Sequence, residues 1–311
     1  MRRLLSVLVV LLALAVAGAV VYGAIVNPES LTLDDAARKA APGRFIGSSR
    51  GVTHYEIAGP DSGRTVVLVH GFSVPAYIWD STAVALSAAG YRVIRYDVFG
   101  RGWSDRPDTQ YDSTLFSTQI DELLDSLKVT APVDLMGLSF GGAITAQYVA
   151  THPERVRSWT LVDPVASSRT LPAILEVPVL GPWFWQTTVV PGMADGQASD
   201  FLHPEQFPDW ADRYRPQMKY RGFGRAILRT ALYGSEFDIA ALYQNAGKTR
   251  KPTLLIWGKQ DTTVPIALAD VVRSAIPQTE FFPVDSAGHL PHMEKAGEVH
   301  ARILQFLAAN K

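Results

Sequence analysis

A hydroxyl, a carboxylate and an imidazole stand out by their settings along this 311-residue chain: Ser139, Asp261 and His289. Ser139 is the centre of Gly137-Leu138-Ser139-Phe140-Gly141, which ends an apolar run starting at Val133 and leads into a helix-forming stretch, 143–150. A side chain aimed off so sharp a strand-to-helix turn needs neighbours, two residues to either side, without Cβ bulk. The turn also leaves the hydroxyl near a helix N-terminus, whose free N–H groups favour developing negative charge. A serine hydroxyl attacks poorly at neutral pH unless a base takes its proton and a third group holds that base. Asp261 and His289 each lie just past the end of a predicted strand, 253–257 and 280–284. Together the three residue types support covalent acyl transfer.

The five-residue glycine–serine pattern is weak alone, since a chain of this length matches it by luck about one time in ten. Gly47-Ser48-Ser49-Arg50-Gly51 matches it too. No apolar strand precedes that copy and no helical pattern follows it, so it reads as a loop. The other two roles also have rivals. Asp163 follows the predicted strand 159–162, and His292 lies three residues beyond His289, farther from a strand end and without a preceding glycine. Asp261 and His289 are preferred. His70, Asp97 and Arg101 read as braces of their loops, while His54, His152, His203 and His300 have no neighbourhood that suggests a role.

From Phe45 onward, strand and helix patterns alternate, which predicts an α/β fold: a mostly parallel sheet with helices on both faces. Runs such as Thr65-Val66-Val67-Leu68-Val69 are apolar throughout, as a strand buried on both faces requires. Strands are expected at 53–58, 65–70, 91–96, 133–138, 159–162, 253–257 and 280–284, and helices at 80–89, 115–127 and 296–309. The stretch 167–250 is far too long for an ordinary connection. It carries 12 of the chain's 31 aromatics, Trp183 and Phe237 among them. It reads as a mostly helical cap between two parts of one core, 45–166 and 251–311. Its aromatics are expected chiefly to form the cap's own core, and an apolar lid beside an exposed serine favours an apolar acyl substrate.

Composition excludes several classes. A net charge of −1 gives no footprint for nucleic acid. The absence of cysteine excludes thiolate metal sites, disulfides and lipid attachment to a thiol. At the N-terminus, Arg2 and Arg3 precede 4–26, an uncharged stretch about 34 Å long as a helix, enough to span a hydrocarbon core of about 30 Å. The basic end is expected in the cytoplasm, with the remainder exported. Ala17-Gly18-Ala19 resembles a signal cleavage site, but the stretch exceeds the usual signal core, which favours an uncleaved anchor. Ala15, Ala19 and Gly23 form a small-residue row that could pair two such helices in a homodimer. Residues 27–44 read as a juxtamembrane link, with Thr32-Leu33-Asp34-Asp35 as a capping box opening a short helix through Ala41.

From about Phe45 to the end, the chain resembles the α/β-hydrolase superfamily. The serine, acid, histidine order is that of the family. His70-Gly71-Phe72 is similar to its oxyanion turn, 97–105 to its loop after the fourth strand, Trp257-Gly258-Lys259-Gln260-Asp261 to its acid loop, and Gly288-His289 with Glu294 to its histidine segment. Ala296 stands where the family often has proline, which leaves the start of the last helix open. With the N-terminal stretch, the layout is similar to membrane-anchored bacterial esterases with phospholipase A activity. The resemblance implies ester hydrolysis with Ser139 as nucleophile, His289 as base and Asp261 as its orienting acid. It places the oxyanion between the N–H groups of Phe72 and Phe140, and implies no cofactor and no metal. It puts the catalytic part in the periplasm, or outside the cell if the N-terminus is cleaved. Epoxide hydrolases and dehalogenases need a carboxylate where Ser139 stands. Perhydrolases, amidases, C–C bond hydrolases and hydrolase-fold ligand receptors keep the serine and stay open as alternatives.

Overall fold

The protein is described from a computed structural model over residues 2–235 and 238–311; Met1 and Phe237 lie outside the described residues. Eight strands form one sheet: β1 (Arg44–Ser48), β2 (Gly51–Ala58), β3 (Thr65–Val69), β4 (Arg92–Tyr96), β5 (Val133–Leu138), β6 (Val156–Val162), β7 (Thr253–Gly258) and β8 (Thr279–Val284). Their order is β1-β2-β4-β3-β5-β6-β7-β8. Only the β1–β2 and β2–β4 pairings are antiparallel. β1 was not expected, and the second glycine–serine match, Gly47 to Gly51, contains the tight hairpin turn joining it to β2.

Alternation along the central strands splits the core in two. Val67, Val69, Leu135 and Leu255 face one layer, with the helices Ser113–Ser126 and Phe140–Thr151 packed on it. Val66, Leu68, Met136, Leu254 and Ile256 face the other, covered by Asp80–Ala88 and Ala296–Ala309. The last helix begins at Ala296 without the proline that often stands there.

Between β6 and β7 the chain is helical in short pieces, including Leu180–Phe184, a π-helical turn over Trp185–Val189, Trp210–Met218 and Phe223–Ser235. Its aromatics Trp185, Phe201, Trp210, Tyr214 and Phe223 are buried in the second layer. The following helix, Ile239–Gly247, belongs to the opposite face of the sheet, where Leu242, Tyr243 and Ala246 join the first layer.

Arg2–Val26 is a single 25-residue helix with no buried side chain, long and apolar enough to cross a bilayer. The link that follows is stitched to the insert. Glu29 accepts the N–H groups of Gly222 and Gly224, both at 2.6 Å, and Leu31 bridges Tyr220. The short helix Asp35–Lys39 is capped by Asp34, which accepts from the Ala37 N–H at 2.9 Å. The expected box at Thr32 is displaced because this nearer carboxylate satisfies the free N–H.

Candidate active site

Ser139 stands at the junction of β5 and the helix Phe140–Thr151, with φ 53° and ψ −118°. Few residues other than glycine adopt such a φ, so the turn is strained. A Cβ at Gly137 would lie 2.5 Å from the Gly141 carbonyl oxygen, and one at Gly141 would lie 2.4 Å from that of Val69. The expected reason for both glycines, crowding at the turn, therefore has specific atoms behind it. The hydroxyl opens into a cavity of about 330 Å³ whose walls include Phe72, Ser139, Phe140, Trp185, Val264 and His289. Among the described residues, Trp185 is the one aromatic of the insert on that wall.

His289 follows β8 and is buried. Its Nδ1 donates to Asp261 Oδ2 at 2.7 Å. Asp261 Oδ1 accepts the N–H groups of Thr263 and Val264, each at 2.8 Å, so both carboxylate oxygens are occupied. Burial works against the imidazolium, but the hydrogen bond and charge of Asp261, with the Asp200 charge behind them, hold His289 above its ordinary value of 6.5. Ser139 and His289 face the same cavity, yet among the described residues no hydrogen bond joins the Ser139 hydroxyl to the imidazole. Such contacts are often loose before substrate binds.

The two rivals occupy other places. His292 is buried against the Ile78 carbonyl, 3.1 Å from its Nε2, and desolvation lowers it to about 3. Asp163 follows β6 and stands beside Asp261, and its Oδ1 accepts the Gly258 N–H at 2.8 Å. Burial, and then the Asp261 charge, push it well above the ordinary carboxylate value, which favours its neutral form. Asp163, Asp261 and His289 place three potential metal ligand atoms within 4.8 Å of one another. The imidazole Nδ1 is already committed to Asp261, and Asp163 Oδ1 to the Gly258 N–H.

Phe72 and Phe140 line the cavity with the serine, and among the described residues neither backbone N–H donates to a protein acceptor. Their rings meet edge to face at 6.2 Å. A Cβ at Gly71 would lie 3.3 Å from that of Ser139, so the Phe72 turn runs directly over the serine. Arg101 donates to the Phe72 carbonyl at 2.8 Å and fixes that turn; burial lowers its guanidinium to about 10. His70 accepts the Val98 N–H on Nε2, which leaves Nδ1 to donate to the Gly71 carbonyl; desolvation lowers it to about 4, and it is neutral. Asp97 accepts from the N–H groups of Ala76 and Trp103 and from His54 Nδ1, each at 2.8 Å. His54 thus has a structural partner that its sequence neighbourhood did not signal.

Insert residues brace the site, and sequence reading missed them. The Asp200 carbonyl accepts the His289 N–H at 2.8 Å. Gln217 accepts from Gly102 N–H at 2.9 Å and donates to the Ser73 carbonyl at 3.0 Å, spanning two core loops. Glu294 accepts from Gly288 at 2.7 Å with one oxygen and from Leu202 and His203 with the other, at 2.9 and 3.0 Å.

Residues 64–296 match the family model described as alpha/beta hydrolase fold. The chain is 26% identical to Lipase 1 of Psychrobacter immobilis over 255 residues, 78% of this chain and 77% of that protein. In structure it is similar to the enol-lactonase of Burkholderia xenovorans, with a TM-score of 0.74 at 22% identity over 85% of this chain and all of that one. A meta-cleavage product hydrolase from Pseudomonas fluorescens aligns with a TM-score of 0.72 at 21% identity, covering 86% and 98% of the two chains. A serine on a strained strand-to-helix turn, an Asp–His pair after the last two strands and a match covering most of the chain lead to one assignment: the chain belongs to the alpha/beta hydrolase fold family.

Proposed function

We propose that this chain is a membrane-anchored serine esterase or lipase that cleaves carboxylic acyl esters, glycerophospholipids or acylglycerols among them. The observation that carries the reading is the shared cavity: a strained serine, a His–Asp pair and two unpaired N–H groups on apolar walls. In this reading His289 Nε2 takes the Ser139 proton as Oγ attacks the ester carbonyl. Phe72 and Phe140 N–H groups hold the oxyanion, where losing one donor typically costs about 3–4 kcal/mol. The imidazolium gives its proton to the departing alcohol. Water, deprotonated by His289, then attacks the acyl-serine; the imidazolium returns that proton to Ser139 Oγ as the C–O bond breaks, and acid is released.

The Lipase 1 relative supports the substrate class, and the apolar cavity supports an acyl chain. The helix Arg2–Val26 serves as the anchor, its basic end cytoplasmic and the catalytic part extracytoplasmic. Residues 27–44 form the link, and 167–250, its last helix excepted, form the cap over the two core parts. A homodimer through Ala15, Ala19 and Gly23 has to compete with Trp183, which already packs against Ala19 and Gly23; dimers lost on Ala19→Leu in detergent would establish it.

The test uses full-length protein, an acyl-ester series of increasing chain length and glycerophospholipid vesicles. Hydrolysis of esters is the expected outcome; failure on every ester would move the reading to amides, C–C bonds or a ligand receptor. Carbonate extraction should leave the protein in the membrane pellet, and release would show a cleaved signal.

The base role has a pH signature. His289 must be neutral to accept a proton, and its pKa is raised, so kcat/KM should rise with pH through a midpoint above 6.5. Removing the Asp261 charge should move that midpoint down. Rates for a neutral ester across the range measure it, and a midpoint at or below 6.5 in the unmodified protein would contradict the assignment.

A further inference from the structure

Outside the N-terminal helix, large apolar side chains exposed among the described residues concentrate in one place, 174–183: Ile174, Val177, Val179, Leu180 and Trp183. Val179 is 81% exposed and sits at φ 69°, a left-handed conformation that a β-branched residue rarely holds. Among the described residues nothing else covers this tip, so burial does not offset its strain. From 177 to 194 the sequence has no charged residue.

The same segment is fastened to the helix Arg2–Val26. Trp183 Nε1 donates to the Ala19 carbonyl at 3.1 Å, and Gln186 donates to Asn27 at 2.7 Å. Gly23 leaves room for this contact, since a Cβ there would lie 3.1 Å from Trp183 Nε1. Ala19 precedes the helix end at Val26 by seven residues, about 10 Å along the axis. Trp183 therefore sits alongside the apolar part of the helix and not beyond it.

We infer that the ridge 174–183 of the insert docks into the bilayer surface beside the anchor, as a second membrane contact. The inference rests on the anchored reading proposed above. A lipid occupant follows from continuity: the ridge prolongs the uncovered apolar face of the helix, and its indole, an amphipathic ring favoured near membrane surfaces, is bonded to that helix. Buried apolar area of this kind sets the strength of interfacial binding. Leu171, just before the ridge, and Trp185, just after it, both line the catalytic cavity. Docking would bring that cavity to the lipid surface and make membrane-resident acyl lipids its natural esters.

The chain has no cysteine, so single thiols can be placed freely. Nitroxide labels at Val179→Cys, Val9→Cys and Asp285→Cys, in full-length protein in phosphatidylethanolamine–phosphatidylglycerol vesicles, are compared for relaxation by oxygen and by a water-soluble nickel chelate. Labels at 179 and 9 should favour oxygen, and the one at exposed Asp285 should favour nickel. A lipid-like label at 9 with a nickel-accessible one at 179 overturns the ridge and leaves the anchor standing. Nickel access at 9 removes the anchor, and the ridge with it. Shielding at 179 from both agents, with dipolar broadening between labels, means that a second copy covers the ridge and overturns the lipid assignment. Independently, Leu180→Asp should lower the ratio of vesicle hydrolysis to soluble-ester hydrolysis by about tenfold. An unchanged ratio counts against docking.

Discussion

Replacing Ser139 by alanine is expected to lower kcat on a carboxylic ester by about 10⁴- to 10⁶-fold, the range seen when a covalent nucleophile is deleted from a site acting as a unit. The attacking oxygen is gone, and the Asp261–His289 pair then has no proton to take. What survives comes from the Phe72 and Phe140 N–H groups and from binding. The fold should be indifferent, because among the described residues the Ser139 side chain makes no hydrogen bond, and alanine meets the same backbone strain. The unfolding midpoint should therefore stay within about 2 °C, the shift of less than 1 kcal/mol in a chain of this size. Progress curves on a short ester, with the unmodified protein alongside, decide the matter. Turnover at the original rate in Ser139→Ala would show that another group does the chemistry.

The second large effect separates two neighbouring carboxyl groups. Asp261→Asn should cost about 10⁴-fold in kcat, through the wrong imidazole tautomer. Asp261 Oδ1 accepts from the Thr263 and Val264 N–H groups, so an asparagine would turn its carbonyl toward them and its NH₂ toward His289 Nδ1. The ring would then carry its proton on Nε2, where it has to be empty to receive the serine proton. Asp163→Asn should cost less than about tenfold, since burial and the Asp261 charge favour the neutral form of Asp163 and an amide there still accepts from Gly258. Parallel kinetics of the two variants test this. The reverse order of effects would make Asp163 the orienting acid.

The parts of the site legible in the sequence were those carried by local pattern. The apolar run ending at Leu138 and the glycines of the turn each have one physical solution, and β5 and the final helix run between the residues expected for them. Asp261 and His289, which the structure pairs, could be singled out because each follows a strand end. β1 was missed because an edge strand reading Arg44-Phe45-Ile46-Gly47-Ser48 buries little and is held by pairing with β2, a contact that composition does not encode. Ile239–Gly247 was grouped with the cap because its apolar spacing fits either layer of the core. Asp200 and Gln217 had no local signal: one acts through its backbone carbonyl, the other on loops more than a hundred positions away.

Glu294 divides its carboxylate between the histidine loop and the insert, and the Asp200 carbonyl holds the His289 N–H from the insert's side. The upper layer is consequently not an exchangeable cassette. A graft of some other family member's cap onto this sheet would need to bring a carbonyl to the same spot and two free amides to Glu294, or the His289 loop would lose its bearing. Swapping caps to change substrate range should thus succeed only where those anchoring atoms are transplanted too.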